Sequence, residues 1–128
     1  MKKEPQQIAE ELSALIAGEC YADIFDRVVY STDGSIYQII PQCIVAPKTT
    51  EDVSAILKYA SHHHIPVSPR GAGSGLGGES LTSGIMLDMT KFMNKIIRTS
   101  SDGSIVCCQV GVVLDTLNRH LAKYGKKI

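Results

Sequence analysis

Residues 43–78 of the chain read CIVAPKTTEDVSAILKYASHHHIPVSPRGAGSGLGG, and this stretch decides the fold. The short apolar run at residues 43–47, closed by a proline, is typical of a buried strand. A capping pattern at Thr49 and Asp52 is followed by apolar residues at helical spacing. Pro66 and Pro69 stop any helix and favour a second strand at residues 65–68. The stretch therefore predicts a strand–helix–strand unit, which is normally parallel and right-handed.

The glycine-rich end of this stretch, PRGAGSGLGG at residues 69–78, has five glycines in ten residues. Glycine is needed where the backbone takes positive φ or where a ligand approaches the main chain closely. Successive free N–H groups in such a loop form a nest that binds an anion, and a diphosphate is the obvious ligand. Ser74 adds a hydroxyl donor, while Arg70 either adds charge or braces the loop from behind. The alternative is a glycine-rich turn that only permits close packing.

Two other glycine motifs do not fit this loop. A Walker loop ends in Gly-Lys-Ser/Thr, and no lysine follows here. A dinucleotide fold that begins at Gly71 and Gly73 requires its third glycine at the position of Leu76. The loop also leads into the apolar segment 85–89, which predicts a third strand and not a long helix. The residues alone therefore indicate a phosphate-binding loop of another kind.

The remaining segments complete a mixed α/β (α+β) prediction. Residues 4–17 predict an amphipathic helix ended by Gly18. Residues 21–42 are irregular, and YSTDGSIY within them predicts a loop or short turn that covers another part of the molecule. We expect a short parallel three-stranded sheet with flanking helices, followed by the start of an antiparallel sheet. The following segments supply that second part: strands at residues 95–99 and 104–110, and a helix carrying Leu114, Leu117 and Leu121.

Composition excludes several classes of function. The formal net charge is zero, so nothing suggests nucleic-acid binding. No apolar run of about eighteen residues predicts a membrane span. The N-terminal segment lacks the apolar block of a secretory signal, and this predicts a cytoplasmic location.

Cysteine, histidine and aspartate residues give no candidate metal or catalytic site. No two cysteines form a C-x-x-C pair, so we expect reduced, mostly buried thiols. Three consecutive histidines at a helix end cannot all face one ion and instead interact with the helix dipole. Asp88 is not assigned a catalytic role. Met86, Met89 and Met93 are predicted to be core residues. The four cysteines are Cys20, Cys43, Cys107 and Cys108, and the three consecutive histidines are His62, His63 and His64.

Several motifs in order resemble one protein family: the stretch 43–78, GIMLDMTKFMNKI at 84–96, and VGVVLDTLNRHL at 110–121. From about Tyr30 to the C-terminus the chain is similar to the FAD-binding domain of the vanillyl-alcohol oxidase / p-cresol methylhydroxylase superfamily. Within it, the chain most resembles the glycolate oxidase and D-lactate dehydrogenase group. The resemblance implies the first subdomain of a PCMH-type FAD-binding fold. It predicts a division into an N-terminal helix and lead-in segment, 1–42, and a truncated FAD-binding domain, 43–128.

The family's cofactor-binding residues map onto the glycine-rich loop and one later segment. In the family, the loop wraps the FAD pyrophosphate through main-chain N–H groups. Ser74 stands where threonine is usual, and where one group of relatives carries a histidine that binds FAD covalently, so the resemblance implies non-covalent FAD. Valine at position 110 replaces alanine in the family's Ala-Gly-Val contact. Asp88 falls in a structural Leu-Asp segment of the family, and the resemblance implies a hydrogen-bonding role for it. The implied cofactor-binding residues are Pro69, Arg70, Gly71, Ala72, Gly73, Ser74, Gly75, Gly77, Gly78 and Gly111.

The resemblance also implies an activity that this chain only partly carries. The family member would oxidise a 2-hydroxy acid such as glycolate or D-lactate, with hydride transfer to the flavin. No catalytic residue is assigned within these residues. We expect a fragment that lacks the C-terminal half of the FAD domain and the cap domain. Such a fragment would be inactive alone and would self-associate through the apolar face that the missing half covers. The alternatives are a phosphate- or nucleotide-binding module without redox activity and a non-binding structural fragment.

Overall fold

The computed structural model describes residues 3–128 and has a mixed α/β architecture, as predicted. Eleven elements follow one another along this part of the chain. In order they are α1 (Pro5–Ser13), β1 (Glu19–Tyr21), α2 (Ile24–Val29), β2 (Cys43–Ala46), α3 (Thr50–His63), β3 (Val67–Arg70), β4 (Ile85–Asp88), β5 (Ile96–Thr99), β6 (Val106–Cys108), α4 (Leu114–Leu121) and a final 3₁₀ turn, Ala122–Tyr124.

The main sheet has the strand order β1-β2-β4-β3. Strands β2, β4 and β3 are parallel, which confirms the predicted three-stranded unit, and β1 joins β2 as an antiparallel edge strand. The register aligns Val45, Leu87 and Pro69, so the three parallel strands end together at one edge of the sheet. Strands β5 and β6 form a separate antiparallel pair, as expected.

The core lies on the face of the sheet that α1 and α3 cover. Ile8 and Leu12 from α1 and Ile56 from α3 are fully buried against Cys43 and Ile85. Both central strands are buried along their whole length, as parallel strands normally are. The three predicted core methionines, Met86, Met89 and Met93, are all buried.

The N-terminal third of the chain differs from the sequence prediction. Helix α1 ends at Ser13, four residues early, and Leu15 of the predicted apolar stripe is 56% exposed. The irregular region contains two short elements that were not predicted, β1 and the six-residue helix α2. Elements this short have too few residues to show a period, and β1 depends on its partner strand β2. Strand β3 begins at Val67 and not at residue 65.

Asp52 joins the start of α3 to the N-terminal segment. Thr49 caps the helix as predicted, accepting a hydrogen bond from the Asp52 amide at 3.1 Å. The buried carboxylate of Asp52 accepts hydrogen bonds from the amides of Ala17 at 2.9 Å and Lys48 at 2.8 Å. Burial alone would raise the pKa of this carboxyl, but these backbone hydrogen bonds lower it below its ordinary value.

Replacing Asp52 with asparagine is expected to lower the free energy of unfolding by about 2 kcal/mol at pH 7, since the hydrogen bonds from the Ala17 and Lys48 amides to a charged carboxylate are lost. A carboxyl with a lowered folded pKa contributes stability above its unfolded pKa and loses it as pH falls through the folded pKa. The difference between D52N and the parent should therefore shrink below about pH 4. Urea denaturation of both proteins across this pH range measures the difference in the free energy of unfolding. The control is E51Q, at the exposed neighbouring residue. An equal loss of stability in D52N and E51Q would contradict the role given to the hydrogen bonds of Asp52.

Candidate functional site

The glycine-rich loop begins where β3 ends, at the edge of the sheet where all three parallel strands end. Pro69 and Arg70 are the last two residues of β3, so the irregular loop starts at Gly71 and not at Pro69. Residues 71–80 contain neither helix nor strand. In open α/β sheets, ligands bind outside the carboxyl ends of the strands. The loop therefore lies where such a fold places a ligand.

The amides of residues 71–76 are available to a ligand. Within the described residues, no protein group accepts a hydrogen bond from any of these six N–H groups. A Cβ atom placed on Gly71 would meet nothing within 4 Å, so the protein itself does not fill the space beside that residue. Ala72 and Ser74 are exposed. A run of free amides with open space beside a glycine fits an anionic group that approaches the main chain closely.

Arg70 braces the loop from behind. Its guanidinium donates to the carbonyl oxygen of Thr32 at 2.7 Å and lies 5.5 Å from the ring centroid of Tyr30. Gly73 has a φ of +67° and packs so tightly on this guanidinium that a Cβ atom would overlap it. Of the two roles predicted for Arg70, the structure shows the bracing one.

The segment 30–37 covers the glycine-rich loop, which explains its turn chemistry. The Gly34 amide donates to the carbonyl oxygen of Gly73 at 2.9 Å, and a Cβ atom on Gly34 would lie 2.9 Å from the carbonyl oxygens of Ser74 and Gly75. This contact needs a glycine because two backbone segments meet there. The sequence showed the turn but gave no sign of what it packs against.

Two side chains of the same segment hold the far end of the loop. Asp33 accepts hydrogen bonds from the Ser80 hydroxyl and the Ser35 amide, both at 2.9 Å. The Ser35 hydroxyl and amide, together with Ser80, hold the pKa of Asp33 below its ordinary value. The Tyr37 ring packs on Gly78, which has a φ of +77°. The loop is thus fixed at both ends while its middle amides stay free.

Asp88 has the hydrogen-bonding role predicted for it. It is buried at the end of β4 and accepts hydrogen bonds from the Tyr30 hydroxyl at 2.6 Å and from the Thr90 amide at 2.8 Å. Burial would raise the pKa of Asp88, but hydrogen bonds from Thr90 and Tyr30 lower it. Burial and the adjacent carboxylate raise the pKa of Tyr30 to about 12. At neutral pH the Asp88 carboxylate is therefore charged and the Tyr30 hydroxyl is neutral. Their hydrogen bond holds the Tyr30 ring in its place against Arg70.

Gly111 packs against the segment that follows β4. It is buried against the backbone of Met89 and Met93, and its own amide donates to the Met93 carbonyl oxygen at 2.8 Å. The adjacent Val110 is 72% exposed and lines an apolar groove of about 470 Å³ that also reaches Gly71. Gly111 therefore places Val110 beside the loop, while its own N–H is engaged within the protein.

The cysteines and histidines lie away from this loop. All four cysteines are free thiols, but only Cys43 is buried; the other three are half-buried, so the expectation of mostly buried thiols is wrong. The three consecutive histidines lie at the end of α3, where the His63 ring nitrogen is 3.3 Å from the Lys3 ammonium. Within residues 3–128, no group of three or more potential metal-ligating side chains is found.

Comparison with known proteins gives the family. The family described as FAD binding domain matches residues 41–128. D-2-hydroxyglutarate dehydrogenase of Escherichia coli (strain K12) is 37% identical over 111 residues, covering 84% of this chain and 11% of the relative. Glycolate oxidase subunit GlcD of Bacillus subtilis (strain 168) is 37% identical over 101 residues, covering 77% of this chain and 22% of the relative.

Solved structures show the same fold. Alkyldihydroxyacetonephosphate synthase superposes with a TM-score of 0.79 at 24% identity, over 97% of this chain and 26% of that one. 6-Hydroxy-D-nicotine oxidase from Arthrobacter nicotinovorans gives a TM-score of 0.73 at 28% identity, over 86% of this chain and 24% of that one.

The chain belongs to the FAD binding domain family of flavoproteins, with the PCMH-type fold that its motifs predicted. FAD is the cofactor of this family, and the related enzymes are oxidoreductases. The chain spans about a tenth of the length of the D-2-hydroxyglutarate dehydrogenase that it matches. None of the helices within residues 3–128 combines the length and apolar character needed to cross a bilayer.

Proposed function

We propose that this chain supplies the diphosphate-binding part of the FAD site in an oxidoreductase that oxidises a 2-hydroxy acid such as glycolate or D-lactate. The observation that carries the proposal is the run of six free amides at residues 71–76, at the carboxyl end of a parallel sheet. The proposed cofactor-binding residues are Pro69, Arg70, Gly71, Ala72, Gly73, Ser74, Gly75, Gly77, Gly78 and Gly111.

These residues would hold FAD by different means. The loop amides and the Ser74 hydroxyl donate to the diphosphate oxygens, and Arg70 keeps Gly73 in its left-handed conformation. The serine hydroxyl forms no covalent link to the flavin, so FAD binds non-covalently at this point. Gly111 contributes by placing Val110 at the groove, where an apolar part of the cofactor packs. FAD accepts the hydride from the substrate carbon, and this chain orients the cofactor.

The substrate-binding and catalytic groups of the whole protein are proposed to lie outside these residues, in the remaining part of the FAD domain and in a cap domain. The comparison supports this because the relatives are several times longer than the chain. The isolated 128 residues would then be inactive as an oxidoreductase. Exposed apolar residues beside the groove, Val110, Val113 and Leu114, would favour self-association.

Titration with FAD tests the proposed function. We expect a dissociation constant of roughly 100 μM or weaker, because half of a long ligand would remain in water and the loop must be ordered on binding. Flavin fluorescence and calorimetry measure it. Stoichiometric micromolar binding by a monomer would show that these residues hold most of the FAD site on their own.

The second candidate is a phosphate- or nucleotide-binding module without redox activity, and the free amides alone are compatible with it. ADP is the discriminating ligand. A flavin site should bind FAD at least several-fold more tightly than ADP, because the groove adds contact with the rest of the cofactor. Equal affinity for ADP and FAD would favour the module.

A further inference from the structure

Glu79 places a carboxylate within the glycine-rich loop itself. Its Oε2 accepts a hydrogen bond from the Gly77 amide at 3.1 Å. The same carboxylate packs against Gly75, filling the space that a Cβ atom would need there. Both glycines are among the residues proposed above for the diphosphate. An anionic side chain of the protein therefore occupies part of the surface that an anionic ligand would use.

The carboxylate is not needed to hold the loop in place. The Glu79 carbonyl oxygen accepts from the Ser68 hydroxyl at 2.9 Å, and the next residue, Ser80, donates to Asp33. These bonds fix the end of the loop through the backbone and through a neighbouring side chain. Glu79 is itself exposed. Its side chain can therefore turn toward solvent while the backbone of the loop stays anchored.

Electrostatics decides what happens when a diphosphate arrives. Like charges a few ångströms apart repel each other strongly when they are only partly solvated. The diphosphate and the carboxylate also compete for the same donor, the Gly77 amide. In contrast, the guanidinium of Arg70, which packs on Gly73, is engaged with the carbonyl oxygen of Thr32. The carboxylate must leave the loop, or binding is weakened by its presence.

We propose that Glu79 is an internal competitor of the diphosphate: its carboxylate occupies the Gly77 amide in the free protein and turns outward when FAD binds. This lowers the affinity of the site and gives the loop an occupied amide when the cofactor is absent. The proposal rests on the proposed function, since it assumes that residues 71–78 receive the diphosphate.

Three variants of the ¹⁵N-labelled chain test it by amide-shift titration, with FAD and with inorganic pyrophosphate in separate series. E79Q keeps a side-chain oxygen for the Gly77 amide but removes the charge, and E79A removes both. E51Q makes the same charge change at an exposed position in the first turn of α3, outside residues 71–80. We expect E79Q and E79A to bind both ligands about tenfold more tightly than the parent, and E51Q to match the parent. The gain in affinity of E79Q and E79A over the parent should become smaller in high salt, because salt screens the repulsion between the carboxylate and the ligand.

The possible outcomes separate the two proposals. Affinities of E79Q and E79A that equal the parent's, or fall below it, would overturn the competitor role and leave the proposed function standing. A loss in E79A alone would show that Glu79 braces the loop, which also overturns it. If neither ligand shifts the loop amides in any of the proteins, the proposed function fails and the competitor role fails with it.

Discussion

Replacing Gly111 with alanine is expected to lower the free energy of unfolding by about 3 kcal/mol, the largest effect on stability among the changes considered. A Cβ atom there would overlap the carbonyl oxygen of Met89 and lie 2.8 Å from that of Met93. Both are backbone atoms, so no side-chain rotation relieves the contact. The Gly111 amide also donates to Met93, and this bond would be strained as the segments move apart.

Gly71 supplies the matched control for this change in chemical denaturation. A Cβ atom on Gly71 would have no neighbour within 4 Å, and the φ of this residue is not positive. G71A should leave stability unchanged or raise it slightly, because alanine reduces the entropy of the unfolded chain. Similar stabilities for G111A and G71A would contradict the packing described for Gly111.

The same Gly71 substitution is expected to weaken binding of FAD and pyrophosphate at least tenfold. The fold does not need a glycine at this position, so the reason for one lies in what approaches from outside. A methyl group would occupy the open space beside the free amides and keep the diphosphate from the backbone. Amide-shift titration measures the affinity, and urea denaturation shows that the fold is intact.

A second loop variant separates this effect from general disturbance of the loop. Leu76 is 80% exposed in the same loop, and its side chain is not among the proposed contacts. L76A should bind within about twofold of the parent, since main-chain amides carry the interaction. Undiminished binding by G71A would mean that the ligand does not approach the backbone at that point.

Much of the fold could be predicted from local pattern. The capping residues of α3, the apolar runs of β2 and β4 and the glycines after β3 each leave a signal within a few neighbouring residues. Strand β1 and helix α2 were missed because three and six residues are too few to show a period. Their positions depend on partners distant in sequence.

The candidate site, too, could be predicted only in part from the sequence. The glycine density after a strand pointed to the loop, and the resemblance pointed to FAD. The sequence left two roles open for Arg70, and only its hydrogen bond to Thr32 decides between them. Neither the contact of Gly34 with Gly73 nor that of Glu79 with Gly77 has a sequence signal, because each depends on how the loop folds back in space.

Mapping of FAD onto individual backbone amides tests directly whether the loop at residues 71–78 binds the diphosphate. The ¹⁵N-labelled chain is titrated with FAD into the millimolar range, and the shift of each assigned amide is followed. Diphosphate binding at the loop predicts saturable shifts that are largest at residues 71–78, which include the free amides of residues 71–76, with smaller shifts at Val110. An absence of shifts in the loop at saturating FAD, or shifts confined to another face of the molecule, would contradict it.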